Sequence, residues 1–287
     1  MLTLLFDGVA YGMLLFVLAV GLAVTLGLMN FVNLAHGAFA MAGGYVTVLL
    51  MDRAGVPFLA TLPLAFLIPA MLGAVAERTL YRPMYTRPHL DHVLFSIGLV
   101  FMTVAAVDYF VGSQQQIIKL PEYLQGRFEI AGVGIGRYRL FIVVVCLVLT
   151  GLLQWVLART RCGSRLRAAV DDPRVAAGLG INVNQVFSVT FAVGSGLAGL
   201  GGALGAEILG LDPTFPLKFM IYFLIVVSVG GTTTITGPLL AALLLGIADV
   251  AGKYYVPKLG AFIVYTLMIV ILLVRPQGLF ARAGGGK

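Results

Sequence analysis

Charge is scarce in this 287-residue sequence: Asp, Glu, Lys and Arg together make up 11% of it, against 60% hydrophobic residues. Soluble domains carry about a quarter charged residues, so a fold surrounded by water is excluded. Only two cysteines occur, Cys146 in an apolar run and Cys162 in a polar one, and neither a disulfide framework nor a thiolate metal site is expected. Histidine is nearly as rare, at positions 36, 89 and 92. His89 and His92 flank Asp91, but a solvated loop accounts for that pair, and the cluster of His, Asp or Glu that an integral-membrane enzyme needs is missing. The pattern G-x-x-x-x-G-K-[ST] is absent, so the chain holds no P-loop for nucleotide. No carboxylate lies mid-span, where an ion-coupled secondary carrier would more often place one.

What is present is apolar sequence in lengths suited to a bilayer. Segments fall at roughly 4–28, 37–51, 57–76, 93–112, 139–158, 185–206, 216–229, 238–250 and 259–274. Runs near 20 residues indicate transmembrane helices, whereas a barrel would alternate. The expected fold is an all-α polytopic membrane protein, a single transmembrane domain over residues 1–287 with about eight spans. The segments 37–51 and 238–250 are short for a crossing and predict one or two broken helices. The first 24 residues lack a basic n-region and a cleavage site, so they are expected to stay as a span.

Topology follows from the basic residues. If the loops 77–92, 159–184 and 275–287 share one side, that side holds 11 of the 19 Lys and Arg residues, which assigns it to the cytoplasm. The N-terminus, with Asp7 and no nearby cation, then faces outward. Loop 112–138 becomes the longest outer loop, either a lid that meets a soluble partner or a connector across the span ends. The net charge of +7 is explained by topology and membrane lipid, and no nucleic-acid partner is expected.

The loop 159–184 is a polar island with sharp helix signals. Asp172 suits an N-cap, Pro173 the first helical position and Gly180 the position just past the end. Between them stand Arg174, Val175, Ala176 and Leu179, little more than one turn. So short a helix needs a surface to pack on, which predicts a docking element. Arg165 and Arg167 precede it and serve either docking or topology.

Two polar interruptions break the apolar sequence. Asn30, Asn33 and His36 recur every third residue ahead of Gly37 and predict a helix break beside a translocation path, an ordinary surface loop being the alternative. Thr232, Thr233 and Thr234, inside Gly230–Pro238, form the second. Gly194-Ser195-Gly196-Leu197-Ala198-Gly199 matches G-x-G-x-x-G, but it sits inside an apolar span with no strand before it. Gly194, Ala198 and Gly202 recur every fourth residue, a spacing for close helix packing.

Four stretches, in order, resemble one family: Gly21 to Tyr45, Arg167 to Asn182, Gly230 to Pro238, and Arg275 to Phe280. The sequence is similar to the LivH-type inner-membrane permease subunits of branched-chain amino acid ATP-binding-cassette importers, and the likeness extends over nearly the whole chain. The triple threonine departs from the family pattern, which favours Gly or Ser there. The resemblance implies a heterodimer with a LivM-like permease, two cytoplasmic ATPase subunits and a periplasmic substrate-binding protein, in the bacterial inner membrane. It also implies that ATP and Mg are held by the ATPases, with no cofactor on this chain. Asp172 to Gly180 corresponds to the family's coupling helix, with Val175, Ala176 and Leu179 expected in an ATPase groove and Arg165, Arg167 and Arg174 on its rim. Related permeases are implied to carry aliphatic amino acids, or else urea, amides or small aromatic acids.

Overall fold

A computed structural model describes residues 1–29, 33–85, 87–130, 133–231, 234–275 and 278–279. Asn30, Thr232, Thr233, Arg282 and Lys287, together with Pro276, Gln277 and Phe280 of the last family-like stretch, lie outside the described residues. The helices are α1 (Leu2–Met29), α2 (His36–Ala54), α3 (Phe58–Ala76), α4 (His89–Val111), α5 (Arg137–Arg159) and α6 (Arg161–Asp171). They continue with α7 (Pro173–Gly178), α8 (Val183–Leu209), α9 (Phe215–Gly230), α10 (Thr236–Tyr255) and α11 (Gly260–Val274). A π-helical turn, Glu77–Tyr81, extends α3.

The core forms around α1 and α8, because their small residues let other backbones come close. Gly21 meets Gly194, Gly43 of α2 meets Gly199, and Ala40 meets Gly202. On another side of α8, a Cβ at Gly196 would stand 2.8 Å from the Phe66 ring of α3. A Cβ at Gly12 of α1 would stand 2.7 Å from the Ala242 carbonyl of α10. Without water to reward burial between helices, this close packing is what association in lipid depends on. Large apolar side chains instead point outward from the peripheral helices: Met71 on α3, Phe101, Met102 and Phe110 on α4, and Val148 and Trp155 on α5. Such an exterior suits hydrocarbon, not water.

Six helices among the described residues are long and apolar enough to cross a bilayer: Leu2–Gly27, Phe58–Met84, Leu90–Val111, Arg137–Arg159, Val183–Leu209 and Thr236–Tyr255. The chain is a multi-pass membrane protein. The segments expected to be short are not. α2 runs 19 residues, through Asp52 and Arg53, and α10 runs 20. Charged and glycine residues hid their ends from a reading by hydropathy. The shorter apolar helices are α9, with 16 residues, and α11, with 15.

α1 ends at Met29 and α2 begins at His36, and residues 30–32 of the expected break lie outside the described residues. His36 Nε2 lies 2.9 Å from the carbonyl of Leu18, a residue well inside the 28-residue α1. The chain therefore leaves the end of α1 and starts α2 beside the middle of α1, already within the bundle.

Contacts also fix which ends share a side. Asp7 pairs with Arg139, the Tyr138 hydroxyl donates to the Leu204 carbonyl at 2.6 Å, and the Tyr255 hydroxyl lies 2.6 Å from the Met1 sulfur. These join the starts of α1 and α5 to the ends of α8 and α10. At the opposite end Ser188 bonds Glu77, and Thr234–Thr236 share a cavity with Leu166 and Arg167. The Leu279 amide reaches the Val229 carbonyl at 2.8 Å. The loop regions 77–92, 159–184 and 275–279 thus lie together, across the bundle from the N-terminus.

The described residues of the long loop 112–136 hold secondary structure. They include a 3-10 turn, Glu122–Leu124, and an antiparallel hairpin of β1 (Arg127–Ile130) and β2 (Val133–Gly136). Arg137 lies 4.5 Å over the Phe128 ring, and Gln116 bridges to Leu211.

Candidate functional site

The polar island folds as two helices joined at Asp172. Thr160 caps α6, accepting from the Gly163 amide at 3.3 Å, and α6 buries Gly163, Leu166 and Ala169 at three-residue spacing. Asp172 Oδ1 accepts from the Arg174 and Val175 amides at 2.8 and 3.1 Å, leaving Pro173, which has no amide to satisfy, at the first helical position of α7. α7 ends in a Schellman arrangement. The Ile181 amide donates to the Ala176 carbonyl and the Gly180 amide to that of Ala177, both at 3.0 Å, with Gly180 at φ +82°. A six-residue helix is thereby fixed at both ends.

Its faces differ from expectation at one residue. Val175 and Leu179 are 59% and 76% exposed, and Arg174 is exposed beside them. Ala176 is 1% exposed. It packs inward on its own chain and cannot enter a partner's groove, because a helix so short shows one side outward and rests on the other. Val175 and Leu179, two solvent-facing apolar residues held by both caps, are what a partner can reach.

The other residues of the island divide between two clefts. Arg165, Leu179 and Gly180 line one of about 520 Å³, with Cys162 and the first turns of α8. Arg167 donates to the Leu157 carbonyl and lines a second of about 470 Å³ with Ala23 and Val24 of α1, Gln154 of α5, and Thr234. Thr234 Oγ1 accepts from the Gly237 amide at 3.3 Å and so closes the start of α10. α6 therefore contacts α1 and faces Thr234 across this cleft.

Among the described residues, Asn33, His36 and Gly37 of the first interruption do not line an open path within this chain. Asn33 is 1% exposed and accepts from the Tyr81 hydroxyl at 2.9 Å, while His36 is 2% exposed and held by Leu18 and, edge-on, by Phe223 at 6.2 Å. Gly37 is buried against Pro216. Their role is to tie the mid-bundle start of α2 to α1, α9 and the turn after α3. Polar groups at this depth are satisfied by protein, which removes the reason to assign them to a water-filled route.

A cluster that the sequence did not disclose joins the turn after α3 to the start of α8. Glu77, fully buried in the π turn, accepts from Arg82 Nη2 at 3.2 Å, from the Tyr85 hydroxyl at 3.0 Å and from Ser188. Arg82 Nη2 also donates to Ser188 Oγ at 2.9 Å. Burial first, then the Glu77 carboxylate, push the Tyr85 hydroxyl above the ordinary phenol range, so it remains a donor. The partners are separated by as many as 111 residues, and no local pattern signals them. Asp249, 1% exposed, pairs with the half-exposed Lys253 at 2.5 Å on the side of the N-terminus. Among the described residues no group of three or more His, Cys, Asp or Glu is placed to hold a metal ion.

The profile of the family described as branched-chain amino acid transport system / permease component matches residues 4–272. The chain is 29% identical to the high-affinity branched-chain amino acid transport system permease protein BraD of Pseudomonas aeruginosa, over 97% of this chain and 95% of that protein. It is 26% identical to the corresponding permease protein LivH of Escherichia coli, over 97% and 94%. A weaker likeness, 25% identity over 93% of this chain and 68% of the other, links it to the permease protein LivM of Salmonella typhimurium. No solved structure matches the chain significantly.

Proposed function

The chain belongs to the family of branched-chain amino acid transport permease components, and on that premise we propose that it is the LivH-type translocating subunit of an ATP-binding-cassette importer for branched-chain amino acids. In this reading it works in the bacterial inner membrane beside a LivM-like subunit, receives substrate from a periplasmic binding protein, and is driven by two ATPase subunits that hold ATP and Mg. It performs no covalent chemistry of its own.

The observation that carries the reading is α7, capped at both ends with Val175 and Leu179 turned out to solvent. An ATPase that grips this face moves α7. Ala176, α6 and the start of α8 pass the displacement to α1, α3 and α10. The polar interruptions stabilise helix starts, and the route for substrate is assigned to the surface shared with the second permease subunit.

The test is leucine uptake by the complete transporter in proteoliposomes, with ATP on the α7 side and no ion gradient. Uptake that needs ATP and the binding protein is expected. Leu179→Asp, which puts an unpaired charge into the docking face, is expected to cut it by about tenfold or more, since desolvating such a charge costs several kcal/mol. Uptake driven by an ion gradient without ATP would overturn the reading, as would full activity in Leu179→Asp. Ligand screening of the binding protein separates aliphatic amino acids from urea, amides and aromatic acids.

A further inference from the structure

We propose that the cleft between the π turn and the start of α8 is a binding site for one anionic phospholipid of the inner leaflet. The cleft, about 360 Å³, is lined by Arg78, Arg82, Asn182, Asn184, Gln185 and Ser188. Apart from Glu77, buried beneath it, the residues are cationic or neutral and most present N–H donors. Arg82 already neutralises Glu77, so the excess charge belongs to Arg78. Arg78 is exposed and has no hydrogen-bond or ion-pair partner among the described residues. The side-chain amides of Asn184 and Gln185 are likewise unengaged there, and Asn182 spends only its Oδ1, on the Gln185 amide at 3.0 Å. Such a set of donors suits a phosphate diester.

The tail side of the argument comes from α3. Leu67, Met71 and Val75 are 50%, 68% and 61% exposed, and with Arg78 they follow the four, four and three spacing of one helix face. Gly73, pointing the other way, packs on Ser195. An acyl chain can lie along the stripe with its headgroup at the level where the Phe58–Met84 span ends. A basic cleft between helices on the cytoplasmic side, continuous with an apolar stripe, fits a lipid anion better than a soluble one. The lipid would join the end of α3 to residues 182–188, directly after the cap of α7.

The test is native mass spectrometry and lipid titration on the purified full-length chain, comparing dioleoyl phosphatidylglycerol with dioleoyl phosphatidylcholine. One phosphatidylglycerol is expected to stay bound, with phosphatidylcholine failing to replace it. Arg78→Gln is expected to weaken retention about fivefold, the effect of one cation at a lipid surface. Arg87→Gln, which removes an exposed charge from the same loop, is expected to leave it unchanged. Equal retention by wild type and Arg78→Gln, or equal loss in both variants, overturns the site. Displacement of the lipid by millimolar inorganic phosphate or by glycerophosphoglycerol overturns the lipid assignment in favour of a soluble anion.

Discussion

Glu77 is a carboxylate with no exposure, held by Arg82, Tyr85 and Ser188, and it joins the end of α3 to the start of α8. Glu77→Gln keeps the size and removes the charge. Removing one partner of a fully buried pair costs about 3–5 kcal/mol, but the Arg82 side chain is 38% exposed and can turn to water. The expected loss is therefore about 1–2 kcal/mol, seen as a lower unfolding temperature in detergent. An unchanged midpoint would mean that the cluster adds nothing to holding the two helices together. Gly43 gives a second test at this scale. A side chain there would run into the Gly199 backbone, whereas Gly98 on α4 faces open space. Gly43→Val is expected to cost about 1–3 kcal/mol by overpacking, while Gly98→Val stays within about 0.5. Comparable unfolding midpoints for the two would contradict the close crossing of α2 and α8.

At the scale of elements, α7 depends on its caps. Asp172→Ala removes the acceptor for two amides and is expected to destabilise the helix by about 1 kcal/mol, with Asp172→Asn close to wild type. The measurement is ATPase subunit retained on the purified permease, and equal retention in Asp172→Ala would show that the helix needs no cap to dock. Local signals made this element legible in the sequence: Asp172, Pro173 and Gly180 each act on their own neighbours. The break before His36 was legible for the same reason. Orientation was not. Six helical residues show no apolar periodicity, so the buried side of α7 bearing Ala176 cannot be told in the sequence from the exposed side bearing Val175 and Leu179. The lengths of α2 and α10 were obscured because the helices continue through Asp52 and Arg53, and through Gly252 and Lys253, where hydropathy stops. The joining of Glu77 to Ser188, or of Gly278 to the end of α9, is set by the packed bundle and leaves no trace in either stretch alone.

Across the whole molecule, the described parts of the arginine-rich loops gather at one end. Asp7 with Arg139 marks the other end, and α5 runs from there to the island. The proposed importer reading puts the island in the cytoplasm, the side on which Lys and Arg flanking spans are retained. The two cysteines can check this without mutation. Cys162 on α6 is exposed, whereas Cys146 is buried within α5. With the chain expressed apart from ATPase subunits, a membrane-impermeant maleimide is expected to modify one thiol per chain in inverted vesicles and none in intact spheroplasts. The second thiol should react only after denaturation. Labelling of Cys162 in spheroplasts would turn the molecule over, placing α7 outside and removing it from any cytoplasmic motor. The basic cleft at Arg78 would then face the wrong leaflet as well, so one labelling result bears on both proposed sites.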